Sequence, residues 1–291
     1  MSLFVVLLAL VSAITHASWN MLVRHQRGTD TFTKMSIVIA GIGMPLALSA
    51  EIFEPPVLSL TWVWFGLGGI GLALYYYGLT RGYASGDFST VYPLVRSLPV
   101  LLVAITDVLR GNPPSFVGWV GLILVSLGCT IIPLESIRDW SLARYWNRST
   151  PWVILAALGV FAYSAFDSIA AQAMQGGIST ALRYNVYECS FGLIVFALIL
   201  KQQRLPILTA GGWSEWRLAI IAAIFMFGSY SLILWAYQLT PHASYIVALR
   251  QLGIVLGVAA GTLLFHEPAP KLRITASVII AFGIFLIAQG A

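Results

Sequence analysis

The stretch VYPLVRSLPV, residues 91–100, sets Arg96 and two prolines, Pro93 and Pro99, inside a run that otherwise reads as lipid-soluble. An arginine at the centre of a membrane helix costs ~2.5 to 3.5 kcal/mol on insertion scales, so such a residue faces a partner or a watery cavity. The rest of the chain makes the membrane the setting. Of 291 residues, 59% are hydrophobic and 9% charged, against about 25% charged in an ordinary soluble domain. Apolar runs able to cross ~30 Å of hydrocarbon, which takes about 20 helical residues, recur along the whole length. They lie at 3–22, 35–50, 61–80, 88–109, 116–134, 151–172, 182–200, 216–239, 243–265 and 271–289. The expected fold is therefore all-α, about ten transmembrane helices with little chain left outside the bilayer.

Met1-Ser2-Leu3-Phe4 supplies no basic stretch ahead of the first apolar run, so that run is read as a retained span and not a cleaved leader. Cys129 and Cys189 each stand alone in an apolar span, without Cys or His at ligand spacing, and read as buried thiols; no metal or cofactor is expected. The net charge of +5 comes from basic residues scattered over short connections, which excludes a nucleic-acid surface and points to membrane orientation. Connections after odd-numbered spans carry Arg24, Arg27, Lys34, Arg81, Arg138, Arg144, Arg148, Lys201, Arg204, Arg217, Lys271 and Arg273, whereas those after even-numbered spans carry Arg110 and Arg183. Retention of Lys and Arg in the cytoplasm then puts both termini on the periplasmic face of a bacterial inner membrane.

The opening stretch has a counterpart. VRSLPVL at 95–101 aligns with LRQLGIV at 249–255, laying Arg96 over Arg250, and the same offset carries Pro114 onto Pro268. His16-Ala17-Ser18-Trp19-Asn20 in the first span lies over Tyr163-Ser164-Ala165-Phe166-Asp167 in the sixth. Two homologous halves follow, 1–140 and 141–291. Each holds an odd number of spans, so the second enters the membrane from the opposite side. Two inverted five-helix repeats around a central cavity, with cargo bound near the midplane and access alternating by rocking, is the architecture this implies.

These stretches, with AYSAFD at 162–167, ASYIVALRQLGIVLG at 243–257 and LLFHEP at 263–268, resemble the ten-helix EamA-type members of the drug/metabolite transporter superfamily over almost the whole chain. They look most like a subgroup with a Tyr-Pro-x-x-Arg fourth helix, some members of which are linked to phosphonate use. The resemblance implies secondary transport of a small molecule through a central cavity, without ATP. Relatives handle amino acids, sugars, nucleotide sugars, amines and phosphate esters, so it implies no substrate. This chain departs from the pattern at Gln251, where the ninth helix often has Glu, and in its loop charges, since better-known relatives keep both termini in the cytoplasm.

The charged residues within the spans mark the candidate site. Guanidinium presents a planar fork of donors that fits carboxylate, phosphate or phosphonate, so Arg96 and Arg250 are candidate anion-binding residues. The alternative for each is structural, pairing with Asp107, Asp167 or Glu188, or with carbonyls freed by a proline. Tyr92 lies one turn before Arg96 on the same stripe; Asp107 falls near the far membrane surface and reads as interfacial. Across the cavity, His16 and Asn20 match Tyr163 and Asp167 at the same spacing, and Tyr184 and Glu188 repeat it in the seventh span. Trp19 joins them, while Trp62, Trp64, Trp152 and Trp216, near span ends, read as belt residues. Acids, arginines and aromatics together suit a zwitterion, its ammonium at Asp167 or Glu188 and its acid group at Arg96 or Arg250. Asp167, Glu188 and His16 are the candidates for proton coupling. Gly253, Gly257 and Gly261 form a Gly-x-x-x-Gly face expected to pack closely on a neighbouring helix.

Enzyme chemistry has no motif behind it. There is no phosphate-binding Gly-x-x-x-x-Gly-Lys loop, His266-Glu267 is followed by Pro268 and no second His, and no nucleophile stands at triad spacing. The reading is a secondary active transporter for a small anionic or zwitterionic metabolite, such as an amino acid or aminophosphonate. The alternative is a broad exporter of amphipathic or aromatic compounds in which the arginines are structural. The expected partners are the small-molecule substrate, the lipid bilayer and protons; oligomeric state is left open.

Overall fold

The computed structural model describes residues 1–22, 29–85, 88–134, 146–174, 176–209, 211–263 and 271–290; the side chains of residues 20, 21, 29, 88–93 and 260–263 lie outside that description. Its helices are α1 (Leu3–Leu22), α2 (Thr29–Phe53), α3 (Leu58–Ser85), α4 (Phe88–Leu109), α5 (Phe116–Ile131), α6 (Thr150–Ala173), α7 (Ile178–Gln202), α8 (Trp213–Gln238), α9 (Ala243–Leu249), α10 (Leu252–Leu263) and α11 (Lys271–Gly290). In hydrocarbon every backbone polar group must be satisfied within its own segment, which is why long apolar runs become helices. Among the described residues six helices, α2, α3, α6, α7, α8 and α11, are long and apolar enough to cross a membrane, and three further apolar stretches, 3–19, 116–131 and 243–259, are shorter.

Polarity is distributed for lipid. Phe53 and Phe116 are 86% and 83% exposed, while Arg96, Asp167, Glu188 and Arg250 are each 5% exposed or less. The charges are inside and the large apolar side chains outside, as a multi-pass integral membrane protein requires.

Helix pairing is two-fold. α3 packs on α6 and α7, and α8 correspondingly on α1 and α2; α4 meets α6 as α9 and α10 meet α1; α2 pairs with α7, and α5 with α11. The closest seam is α3–α6, where a β-carbon on Gly159 would lie 2.6 Å from both the Gly71 carbonyl oxygen and the Tyr75 nitrogen. Only glycine lets two helix backbones meet at that distance. Gly121 and Gly283 play the same part between α5 and α11. Ser115 caps α5 by accepting from Gly118 N–H (3.0 Å) and donates to the Gly290 carbonyl (2.7 Å), tying the two closing helices together.

Five sequence expectations are corrected. The ninth span is broken: α9 ends at Leu249, Arg250 and Gln251 form a tightened turn, and α10 begins at Leu252. Gln251, Gly253 and Ile254 donate three residues back, to Ala248, Arg250 and Gln251, and the Gln251 side-chain amide donates to the Val247 carbonyl at 2.9 Å. An ionised glutamate at 251 has no hydrogen to give that carbonyl. At its two described glycines the Gly-x-x-x-Gly face is not a close seam: Gly253 is in ordinary contact with the Ala13 carbonyl, at 3.4 Å, and Gly257 has open space beside it, while the surroundings of Gly261 lie outside the described residues. Helices approach closely at α3–α6 and α5–α11 instead, where glycines face each other from both sides.

Asp107 is not interfacial. It is fully buried and accepts from the backbone N–H groups of Ala243 (3.2 Å) and Ser244 (2.9 Å), capping α9 from a helix of the other half. Lys34 is not a loop cation. It lies in α2, 2% exposed, with its Nζ 2.5 Å from Asp30 and 2.6 Å from Glu215. Arg183 is likewise a helix residue, in α7, paired with Glu51 (3.3 Å) and Glu54 (3.2 Å). Arg24, Arg27, Arg138 and Arg144, and the division between residues 140 and 141, lie outside the described residues.

Candidate functional site

Helices from both halves enclose a cavity with about 450 Å³ of empty space, its open mouth included. α1 contributes His16 and Trp19, α3 Leu72, Tyr75 and Tyr76, α6 Tyr163, α7 Asn185, Glu188 and Cys189, and α8 Met226, Phe227 and Tyr230; Arg250 enters from the turn between α9 and α10.

The break in the ninth span decides how Arg250 is presented. Its guanidinium lies over the Tyr230 ring, 5.2 Å from the centroid, and its Nε is buried without a hydrogen-bond acceptor. Among the described residues no carboxylate comes within 4.0 Å of it, so the permanent ion pair with Asp167 or Glu188 is absent. Guanidinium is a fork of donors only, and here it lines the cavity with its Nε unbonded.

Arg96 is placed differently. It sits in an unbroken α4, 3% exposed, with one terminal nitrogen against His16 Nε2, and is not among the residues that line the cavity. His16 receives the Trp19 indole N–H at Nδ1 (3.2 Å) and stands edge-on to that ring. Indole and guanidinium are both donors only, and a neutral imidazole accepts at one ring nitrogen alone, so His16, packed between Arg96 and Trp19, accepts from one of the two.

The two acids differ as well. Asp167 is fully buried behind the wall, with Oδ1 receiving the Tyr184 hydroxyl at 2.8 Å and Oδ2 receiving that of Tyr230. Glu188, also fully buried, lines the cavity, and its carboxyl lies against that of Asp167. Both carboxyls converge on Gly68 of α3: a β-carbon there would lie 2.7 Å from Asp167 Oδ1 and 3.1 Å from Glu188 Oε1.

The structure thus brings His16, Trp19, Tyr163, Glu188 and Arg250 of the expected residues to one cavity, and sets Asp167, Tyr184 and Arg96 directly behind it. The side chains of Asn20 and Tyr92 lie outside the described residues. Sequence reasoning passed over Tyr75 and Tyr76, although three consecutive tyrosines in mid-span, away from the interfacial belt, were a usable signal. Tyr76 stacks on Phe32 and donates to Met226 Sδ, and Tyr163 stands edge-on to Tyr75 and Tyr230, which makes one wall a connected set of rings. Cys189 is more than a core thiol. It lines the cavity and donates to Asn185 Oδ1 at 3.3 Å.

A bundle of apolar helices closed around a cavity of buried charges and aromatic rings is the anatomy of a membrane transport protein. The chain belongs to the EamA-like transporter family, whose sequence profile matches twice, over residues 3–134 and 150–289. It is therefore a multi-pass membrane transporter of the drug/metabolite transporter superfamily, a family of transporters and not of enzymes. No curated protein sequence matches it significantly. A protein of solved crystal structure superposes with a TM-score of 0.69 over 98% of this chain and 96% of its own, at 15% identity, a likeness of fold alone.

Proposed function

We propose that the chain is a secondary active transporter of a small anionic or zwitterionic metabolite, such as an amino acid or an aminophosphonate, working by alternating access as its halves, 1–140 and 141–291, rock about the cavity. The observation that carries this reading is Arg250: a buried guanidinium at a helix break, facing the cavity with its Nε unbonded and, among the described residues, no carboxylate within 4.0 Å. Leaving such a charge unpaired is costly, and an anionic group of the cargo offsets that cost when it binds. Arg96, through His16, adds to the positive field on the same side. The loop charges favour a bacterial inner membrane with both termini in the periplasm, which reporter fusions to each terminus test; a cytoplasmic C-terminus overturns that orientation.

The test of transport uses purified protein in sealed vesicles without ATP. β-Alanine and 2-aminoethylphosphonate are expected to enter saturably, with empty vesicles as the baseline. A second reading, broad export of aromatic or amphipathic compounds, is favoured by the wall of Trp19, Tyr75, Tyr76, Tyr163 and Tyr230. It predicts that a neutral aromatic such as indole competes as well as β-alanine does. Indole competition with no β-alanine uptake reverses the order of the two readings.

A further inference from the structure

Two buried cations away from the cavity have no part in the site. Lys34 and Arg183 are each the sixth residue of their helix, α2 (Thr29–Phe53) and α7 (Ile178–Gln202), and each helix is the second of its half, so the two hold equivalent places in the repeat. Because the halves are inverted, equivalent places lie at opposite ends of the bundle. α1 runs in from the end that carries the chain termini and α2 returns to it. That sets Lys34 at the far end and Glu51 at the termini end, 17 residues or about 26 Å further along α2.

Each cation reaches acid of the other half. Lys34 Nζ lies 2.6 Å from Glu215 of α8, with Asp30 beside it accepting the Thr209 N–H at 2.7 Å, and Gly211 lies so close over the Lys34–Glu215 pair that a β-carbon there would strike both. At the termini end Arg183 pairs with Glu51 (3.3 Å) and Glu54 (3.2 Å), while Tyr187 donates to Glu51 (2.9 Å) and Ser179 to Glu54. The cation of each cluster is buried, but one acid that reaches it from across, Glu215 or Glu54, is 42% exposed. Such a pair holds while its helices touch; when they separate, water enters from the side of the acid and no dry charge is left behind.

We infer that the two clusters are the latches of alternating access: Lys34 with Glu215 fastens the halves at the far end, Arg183 with Glu51 and Glu54 fastens them at the termini end, and each parts when its own end opens. This rests on the rocking of the halves proposed above. Neutralising one cation then favours the state open at that end, since a two-state balance shifts by whatever is removed from one state alone.

The chain carries its own reporter. Cys189 lines the cavity, and with Cys129 replaced by Ala it is the sole thiol. The measurement is its rate of labelling by 2-sulfonatoethyl methanethiosulfonate, a membrane-impermeant reagent, in right-side-out and inverted membrane vesicles, with Cys189→Ser as the blank and terminal reporter fusions to say which face holds the termini. Lys34→Met is expected to shift the ratio of the two rates by about fivefold or more towards the face opposite the termini, and Arg183→Met by as much towards the termini face. Lys34→Arg and Arg183→Lys, which keep the charge, are expected to stay near the wild-type ratio. Glu215→Gln and Glu54→Gln, at half-exposed positions that tolerate substitution, are expected to move the ratio in the same two directions by less, and they decide the matter if the buried cations cannot be replaced. Ion pairs that only hold the fold together would raise both rates alike; an unchanged ratio, or one that moves the same way at both ends, overturns the inference and leaves the transport reading standing where the wild type takes up β-alanine. Opposite shifts in a wild-type chain that takes up no probe support the latches and overturn the proposed cargo instead.

Discussion

Arg96 and Arg250 hold matching places in the two halves, yet one sits in a continuous helix against His16 and the other at a helix break, over Tyr230, with its Nε unbonded. The seams beside them differ too. α3 and α6 meet backbone to backbone through Gly71 and Gly159, whereas the equivalent pair, α8 and α1, is joined by the Ser12 hydroxyl donating to the Ser229 carbonyl at 2.7 Å, with open space beside Gly228. A duplicated plan therefore supplies two copies of each part, and one copy of the arginine became a cavity group while the other supports it.

The sharpest way to break this comparison is to remove each arginine. Arg250→Ala is expected to weaken probe binding by ~2 to 5 kcal/mol, the cost of deleting one partner of a buried charged pair. Arg96→Ala, removing a side chain that stands behind the cavity wall at His16, is expected to cost about 1 kcal/mol. Stabilisation against heat by 2-aminoethylphosphonate reads both, and equal losses erase the distinction between the halves. Next come the seams. Gly159→Val drives a side chain into the backbone of α3 and is expected to destabilise by ~1 to 3 kcal/mol or more, seen as a lower unfolding midpoint and aggregation in detergent. Gly228→Val, which meets nothing within 4 Å, is expected to leave both unchanged. The smallest effect belongs to the link between halves at Asp107. Asp107→Ala removes the cap of α9 and is expected to cost about 1 kcal/mol, with Asp107→Asn, which keeps an acceptor, closer to wild type.

Much of this was legible in the chain. The spans follow from apolar length, and the repeat from two aligned arginines and a His-Asn pair laid over Tyr-Asp. The contents of the cavity were partly legible, because a charge in mid-span has few places to go. The break at Arg250 was not: the run 243–265 reads as one span despite its arginine, and nothing local shows that Gln251 will patch the Val247 carbonyl. Nor were the close seams, since Gly253 and Gly257 carry the familiar spacing and face open ground, while Gly71 and Gly159 meet only because α3 and α6 come together.

By itself the sequence determined that this is a helical membrane protein of two related halves with Arg96, Asp167, Glu188 and Arg250 to accommodate within its spans. The reason is that hydrocarbon penalises exposed backbone and unpaired charge so heavily that composition and spacing leave few alternatives. The tertiary structure decided which charges are committed. Asp167 and Glu188 are equally acidic on the page, but two tyrosines from α7 and α8 reach the first and none reaches the second, and that difference exists only once the helices are packed.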